Sequence, residues 1–413
     1  MRTALSHTRL ACLLSSLLLL GACVKTEGST QNGPLFFTVE FTGSPVGLDE
    51  ASPGSFSTTA VDYPIRVTAI GRDRAQMDWN GSVKIKVTPG QLESNETVSV
   101  VGGVANTTVE VALAFDELRI WVSDEGDIET PGSFASGVAP AIHLALPTVA
   151  ELQEPLGNDD ESPLIHNYVP VKAFSDPQDP RELIVTSVLN DGFYVTDRSQ
   201  DDGTFNSLFV FTFSRPDFVV PGARLASLAG IVSEYIGYTE MQFPTYEVES
   251  TGHFAGEPTV LDPAIVCDDS LMEAWEASVV RIEDLVSDFQ QAAECEDYLA
   301  YGQWPALLPG TCGGQDARVT IVNVNTVPSF GFPQCEDNLP PPALELDYLV
   351  GILRHTAPAD PPWIIDVRSC LDFPPEHRPS DCPDLLERPL SGPRKAPDHL
   401  YRDIQTCEAY PGH

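Results

Sequence analysis

Between Leu35 and Val122 apolar residues recur at every second position, in short runs separated by glycine and proline, and that period decides the class of fold. A period of two places all the apolar side chains of a run on one face of a strand, whereas a helix needs spacings of three and four. Leu35–Phe41 and Tyr63–Ile70 alternate, and Ser82–Val87 sets Val83, Ile85 and Val87 on one face. Val98–Val101, Thr107–Leu113 and Leu118–Val122 follow, with turns marked by Pro89-Gly90 and Gly102-Gly103. Strands this short and this closely spaced bury their apolar faces by packing two antiparallel sheets together, so residues 35–123 are expected to form a β-sandwich.

Residues 124–180 are rich in proline, glycine and acids and suggest a linker. A second β-rich module spans 181–263. Leu183–Leu189 is followed by the turn Asn190-Asp191-Gly192, the strand from Phe193 and an acidic loop from Asp197 to Gly203. Leu208–Phe213 and the stretch from Val219 to Tyr235 complete it. The same order returns in degenerate form over 264–373. There Leu349-Val-Gly-Ile-Leu stands where Leu228-Ala-Gly-Ile-Val stood, and Trp363-Ile-Ile-Asp-Val-Arg closes the copy. One stretch carries two signals. Leu271, Trp275, Val279, Ile282, Val286 and Phe289 have the spacing of one long helix, with Ser270 and Glu273 as a capping box. Residues 374–413 form a proline-rich tail. The expected class is all-β.

The N-terminus carries Arg2 and Arg9, no acid, and an apolar run from Leu10 that ends in Leu20-Gly21-Ala22-Cys23. This resembles the signal of bacterial lipoproteins. The resemblance implies that residues 1–22 are removed, that Cys23 is acylated, and that 23–34 is a polar tether. Valine rather than aspartate follows Cys23, which in that family implies the outer membrane, with the body facing the periplasm or the outside. Cys267, Cys295, Cys312, Cys335, Cys370, Cys382 and Cys407 all lie in the last part of the chain, without a CxxC pair. In an oxidising envelope they suggest three disulfides and one odd thiol, with the pairing open.

The first module resembles bacterial immunoglobulin-like domains in Trp79–Val83, Val109–Ala114 and Ile120-Trp121-Val122. The second resembles the OB-fold modules that accompany secreted bacterial nucleases, in Val185–Leu189, Gly192–Asp197, Leu208–Phe211, Pro221–Leu225 and Leu228–Tyr235. That resemblance implies a short helix over about 270–276 and a strand over about 278–286, and we follow it there. The nuclease domain of those neighbours, with its acidic and histidine ligands, has no counterpart here.

Charge narrows the function. With 60 acidic against 23 basic residues and a net charge of −37, the chain lacks the basic groove that tracks a phosphate backbone, so nucleic acid is an unfavoured partner. An OB-like module stacks ligands on aromatic rings, which makes Phe193, Tyr194, Tyr235 and Tyr238 its candidate ligand face. The run 209, 211 and 213 reads instead as one buried strand face. Asp197, Asp201 and Asp202 are a weak Ca²⁺ candidate, short of the bidentate glutamate of an EF-hand loop. No HExxH, GxSxG or phosphate-loop motif occurs. The sequence therefore suggests no catalytic residues. It points to a binding module for a protein, glycan or peptidoglycan partner, the alternative being a nuclease-associated nucleic-acid binder. Replacing Cys23 by serine is expected to abolish labelling by radioactive palmitate and release the protein from the membrane fraction; undiminished labelling would refute the lipid anchor.

Overall fold

The computed structural model describes residues 33–124, 135–157, 161–199, 203–323, 327, 330–337, 339–356, 362–380 and 382. Cys23 and the signal run, Asp201, Asp202, Cys407 and the tail beyond Cys382 lie outside the described residues. Contacts divide the chain between Ala145 and Leu146 into two compact units. The fold is all-β apart from short helices.

The first unit contains β1 (Phe36–Phe41), β2 (Val61–Ile70), β3 (Gly81–Thr88), β4 (Gln91–Leu92), β5 (Thr97–Val100), β6 (Val104–Ala112), β7 (Asp116–Ser123), β8 (Ser136–Val138) and β9 (Ile142–Leu144). One sheet runs β1-β2-β6-β4. The other runs β5-β3-β7-β8, with β9 also on β7. Ile65, Val67 and Val109 from the first sheet meet Val83, Ile85, Leu118, Ile120 and Val122 from the second in a single core. Each strand contributes alternate residues, as its period requires; Val87, expected on the buried face, is only partly buried. The linker expected over 124–180 is not one segment. Its residues 136–144 complete the sandwich, Ile142 being fully buried, and its later residues belong to the second unit.

The second unit holds α1 (Val149–Gln153), β10 (Tyr168–Val171), β11 (Leu183–Val188), β12 (Gly192–Asp197), β13 (Ser207–Phe211), β14 (Arg224–Glu234) and β15 (Thr239–Ser250). The order β14-β11-β12-β13-β15 closes through β14–β15 into a barrel, and β10 lies outside on β14. Next come β16 (Thr259–Val260), α2 (Pro263–Val266), α3 (Asp269–Glu273), β17 (Val279–Ser287), α4 (Ala292–Tyr301), β18 (Gln303–Cys312), β19 (Gln315–Val322), β20 (Glu345–His355) and β21 (Trp363–Asp366). Their order β17-β18-β19-β21-β20 closes through β17–β20, and β16 lies outside on β17. In both barrels the third and fifth strands pair in parallel and the other neighbours are antiparallel. The repeat seen in sequence is thus a repeat of topology.

The equivalence reaches single residues. Gly230 and Gly351 stand at the same point of the fourth strand, where the fifth crosses over it. A Cβ at Gly230 would lie 2.4 Å from Met241, and one at Gly351 would lie 2.5 Å from Ile365. Only glycine lets the strands approach this closely.

Residues 269–287 follow the helix-then-strand reading. The helix is capped by Asp268, which accepts the Ser270 and Leu271 amides, rather than by a box from Ser270 to Glu273. In β17 the buried residues are Val280, Ile282, Leu285 and Ser287; the step of three falls at Asp284, whose backbone is left-handed at φ 52°. The helical spacing through Val279, Ile282 and Val286 mixes the two faces of this strand: Ile282 enters the barrel core, whereas Val279 packs on the cluster between the barrels.

Three disulfides staple the second barrel: Cys267–Cys312, Cys295–Cys335 and Cys370–Cys382. The first two close loops of sequence separation 45 and 40, each expected to contribute about 3–4 kcal/mol by restricting the unfolded chain. The third holds the start of the tail, where Arg378 donates to the carbonyls of Phe373 and Leu371. Reduction is expected to lower the melting transition of the second unit and to leave that of the cysteine-free sandwich unchanged. Calorimetry with and without dithiothreitol checks this, and a shift in both transitions would contradict it.

Candidate functional site

All six residues of β12 are buried, so both faces of the strand are covered. Tyr194 packs on Phe209 of β13 with ring centroids 4.8 Å apart, and Phe209 lies 5.7 Å from Tyr238. These rings close a cluster with Ala277 and Ile352 of the second barrel. The face of the second and third strands is where barrels of this topology receive oligonucleotides and oligosaccharides. Here the second barrel sits on it. Phe193, 0 % exposed, packs edge-on to Tyr246. Of the four aromatics expected to face a ligand, Phe193, Tyr194 and Tyr238 are therefore core residues, and Tyr235 alone is exposed. Burial raises the Tyr194 and Tyr238 phenols well above the ordinary tyrosine range and keeps them protonated. Arg354, facing them, is paired with Asp366 at 3.1 Å.

The joint between the barrels is the segment Ala274–Ser278. Its Ala274 carbonyl accepts the Phe205 amide (2.7 Å), and Glu276 Oε2 accepts the Thr239 amide (3.0 Å). Ser278 Oγ donates to Ser207 Oγ at 3.1 Å. On the side of the second barrel, the Ala277 amide donates to the Leu353 carbonyl and the Leu353 amide to the Ser278 carbonyl. His355 Nδ1 lies 2.7 Å from the Gly237 carbonyl.

A different set of rings is free. Phe211 and Phe213 have centroids 4.4 Å apart, and Phe213 and Phe243 4.8 Å apart. Phe213 is 54 % exposed and Phe243 62 %. The last rung between the parallel strands β13 and β15 is Phe211 to Gln242, so both rings emerge together just past the end of the ladder. Each sits on left-handed backbone, φ 61° and 48°, a conformation that disfavours bulky side chains by about 1–2 kcal/mol. Tyr168 on β10 is also exposed, and its hydroxyl reaches Thr245 Oγ1 at 3.4 Å. The run 209, 211, 213 read in sequence as one buried face. It instead passes from the core to the surface, because the left-handed residue at 213 ends the alternation. The prolines at 216 and 244, just beyond, were the available signs that the ladder stops there.

A polar cleft of about 320 Å³ is lined by Thr148, Glu151, Glu154, Lys172, Arg181 and Phe205, among others. Its cations are already engaged: Lys172 Nζ lies 2.8 Å from Asp179, and Arg181 lies 3.2 Å from Asp179 and 3.8 Å from Asp197. The Lys172 hydrogen bond holds the Asp179 carboxyl below its ordinary value. Glu151 is occupied as the capping partner of Thr148. Asp197, of the calcium candidate, is buried. Burial pushes its carboxyl up, and one oxygen accepts the Ser199 amide (2.9 Å). Among the described residues no group of three or more histidines, cysteines or carboxylates is arranged to hold a metal.

One contact has the elements of nucleophilic catalysis. Ser250 Oγ lies 2.7 Å from His253 Nε2, and Glu249 is adjacent. The carboxylate, however, bonds the serine hydroxyl and Arg224, whereas the triad logic requires it on the far nitrogen of the imidazole. No family model, curated protein or solved structure gives a significant match to the chain.

Glycine at Phe213 removes the left-handed penalty but also the part of the ring buried against Phe211 and Phe243, two contributions of similar size. Phe213→Gly is therefore expected to change stability by no more than about 1 kcal/mol in urea unfolding. A loss of several kcal/mol would show that the ring serves the fold.

Proposed function

We propose that the chain is a non-catalytic binding module of the cell envelope, carried on the outer membrane through lipid on Cys23, that engages a protein or glycan partner through the aromatic face of its first barrel. The observation that carries this reading is the Phe213–Phe243 pair, two large rings more than half exposed and held outward on unfavourable backbone. Strain of this kind persists where surrounding structure enforces it, and it concentrates at sites of function. Large exposed apolar side chains grouped in this way favour recognition over solubility. The acidic charge of the chain and the burial of Tyr194 and Phe209 weigh against the nuclease-associated alternative, which needs stacking rings in a basic groove.

The test places a photoreactive amino acid at Phe213, at Phe243 and, as a control, at Glu110 of the sandwich, and irradiates intact cells. A discrete adduct from 213 and 243 and none from 110 is expected. No adduct at either aromatic position, or the same adducts from all three, would overturn the assignment of this face.

A further inference from the structure

The joint contains two carboxyl groups whose second oxygens have no partner. Glu234, the last residue of β14, accepts the Thr239 hydroxyl (2.5 Å) and the Ser162 amide (3.0 Å) through Oε1, and its buried Oε2 bonds nothing. Glu276, from the other side of the joint and only 3 % exposed, accepts the Thr239 amide through Oε2 and leaves Oε1 buried and unbonded. The two glutamates thus grip the same threonine from the two barrels.

The charged groups that act on them are all acids: Glu161 and Glu240 on Glu234, and Glu273 and Glu234 on Glu276. Glu240 itself is 5 % exposed. Two basic groups reach the neighbourhood but are engaged elsewhere, His355 at the Gly237 carbonyl and Arg354 with Asp366. A carboxylate buried with one oxygen unbonded and no cation beside it is costly, and the neutral acid in the same place costs less.

We propose that the second barrel is a proton-held cover on the β12–β13 face of the first, closed while Glu234 and Glu276 carry protons and loosened when they ionise. The direction follows from the environment. Burial raises both carboxyls above their ordinary value near 4.5. A group whose folded form holds its proton more tightly stabilises the closed state fully below that ordinary value. The contribution is lost as the pH rises through the elevated one. What loosening would uncover is the cluster of Tyr194, Phe209 and Tyr238, the stacking surface that barrels of this topology present. The inference does not depend on the Phe213–Phe243 face.

Hydrogen exchange on the full-length protein tests it, with rates normalised to the intrinsic rate at each pH. The reporters are the Phe205 and Thr239 amides, which cross the joint, and the Val195 amide serves as a reference inside the first barrel. Protection of Phe205 and Thr239 is expected to fall by about tenfold or more between pH 5 and pH 8, beyond any change at Val195. Glu276→Gln keeps an oxygen for the Thr239 amide but cannot ionise, and it is expected to flatten the dependence. Glu234→Gln does the same from the other barrel and carries the test if the first variant does not fold. An unchanged pH dependence in the folded variants would overturn the proposal. So would protection restored at pH 8 by 1 mM CaCl₂ (about the concentration at which extracellular sites fill) in the unmodified protein and not in Glu276→Gln, which would make the ligand a cation and not a proton.

Discussion

The segment Ala274–Ser278 has to satisfy polar groups from both barrels while shut away from water, and the rest of the C-terminal unit is arranged around that requirement. Phe205, Ser207 and Thr239 of the first barrel and Leu353 of the second all direct hydrogen-bonding groups into it. A buried donor or acceptor left without a partner costs about 1–3 kcal/mol, so a joint with this many bonds is specific in register as well as adhesive. It also decides what the first barrel can do. Because Ala277 and Ile352 cover Tyr194, Phe209 and Tyr238, the strand face most available for a ligand in an isolated barrel becomes core. On the function proposed above, recognition falls to rings that emerge elsewhere.

The architecture was largely legible in the sequence, because a strand announces itself by a period of two and a barrel repeat by the return of the same order of strands. Val83 and Ile85, Ile65 and Val67, and the glycines at 230 and 351 all occupy the places their spacing implied. Legibility failed where a single residue left the strand conformation. Asp284 shifts the alternation of β17, and because that strand carries apolar residues on both faces, Val279 on one and Ile282 on the other, their combined spacing resembles a helix. Phe213 does the reverse, ending an alternation that looked complete. The supposed linker failed for another reason. Short edge strands such as β8 and β9 carry too few residues for periodicity to appear, and only their pairing with β7 reveals them.

The proposed ligand face was less legible than the fold. Aromatic residues within a β-rich module have the same sequence signature whether they stack on a ligand or on a neighbouring barrel. Tyr194 and Tyr235 are separated by nothing in composition, yet one is 1 % exposed and the other 62 %. The difference arises from a contact between modules far apart in sequence, and no local pattern encodes such a contact.

The large negative charge gains a second meaning in this setting. An acidic surface keeps a chain soluble, and most of its carboxylates face water, where ionisation costs nothing. The field they create nevertheless acts on the few carboxyls that are buried. The charges that act on Glu234 and Glu276 are those of other acids, the nearby His355 and Arg354 being engaged elsewhere, so the surrounding charge reinforces what burial already does and favours the proton on both. A basic protein with the same joint would hold these groups ionised and salt-bridged, and its barrels would separate as the pH fell. In this chain the sign is reversed: acid closes the joint.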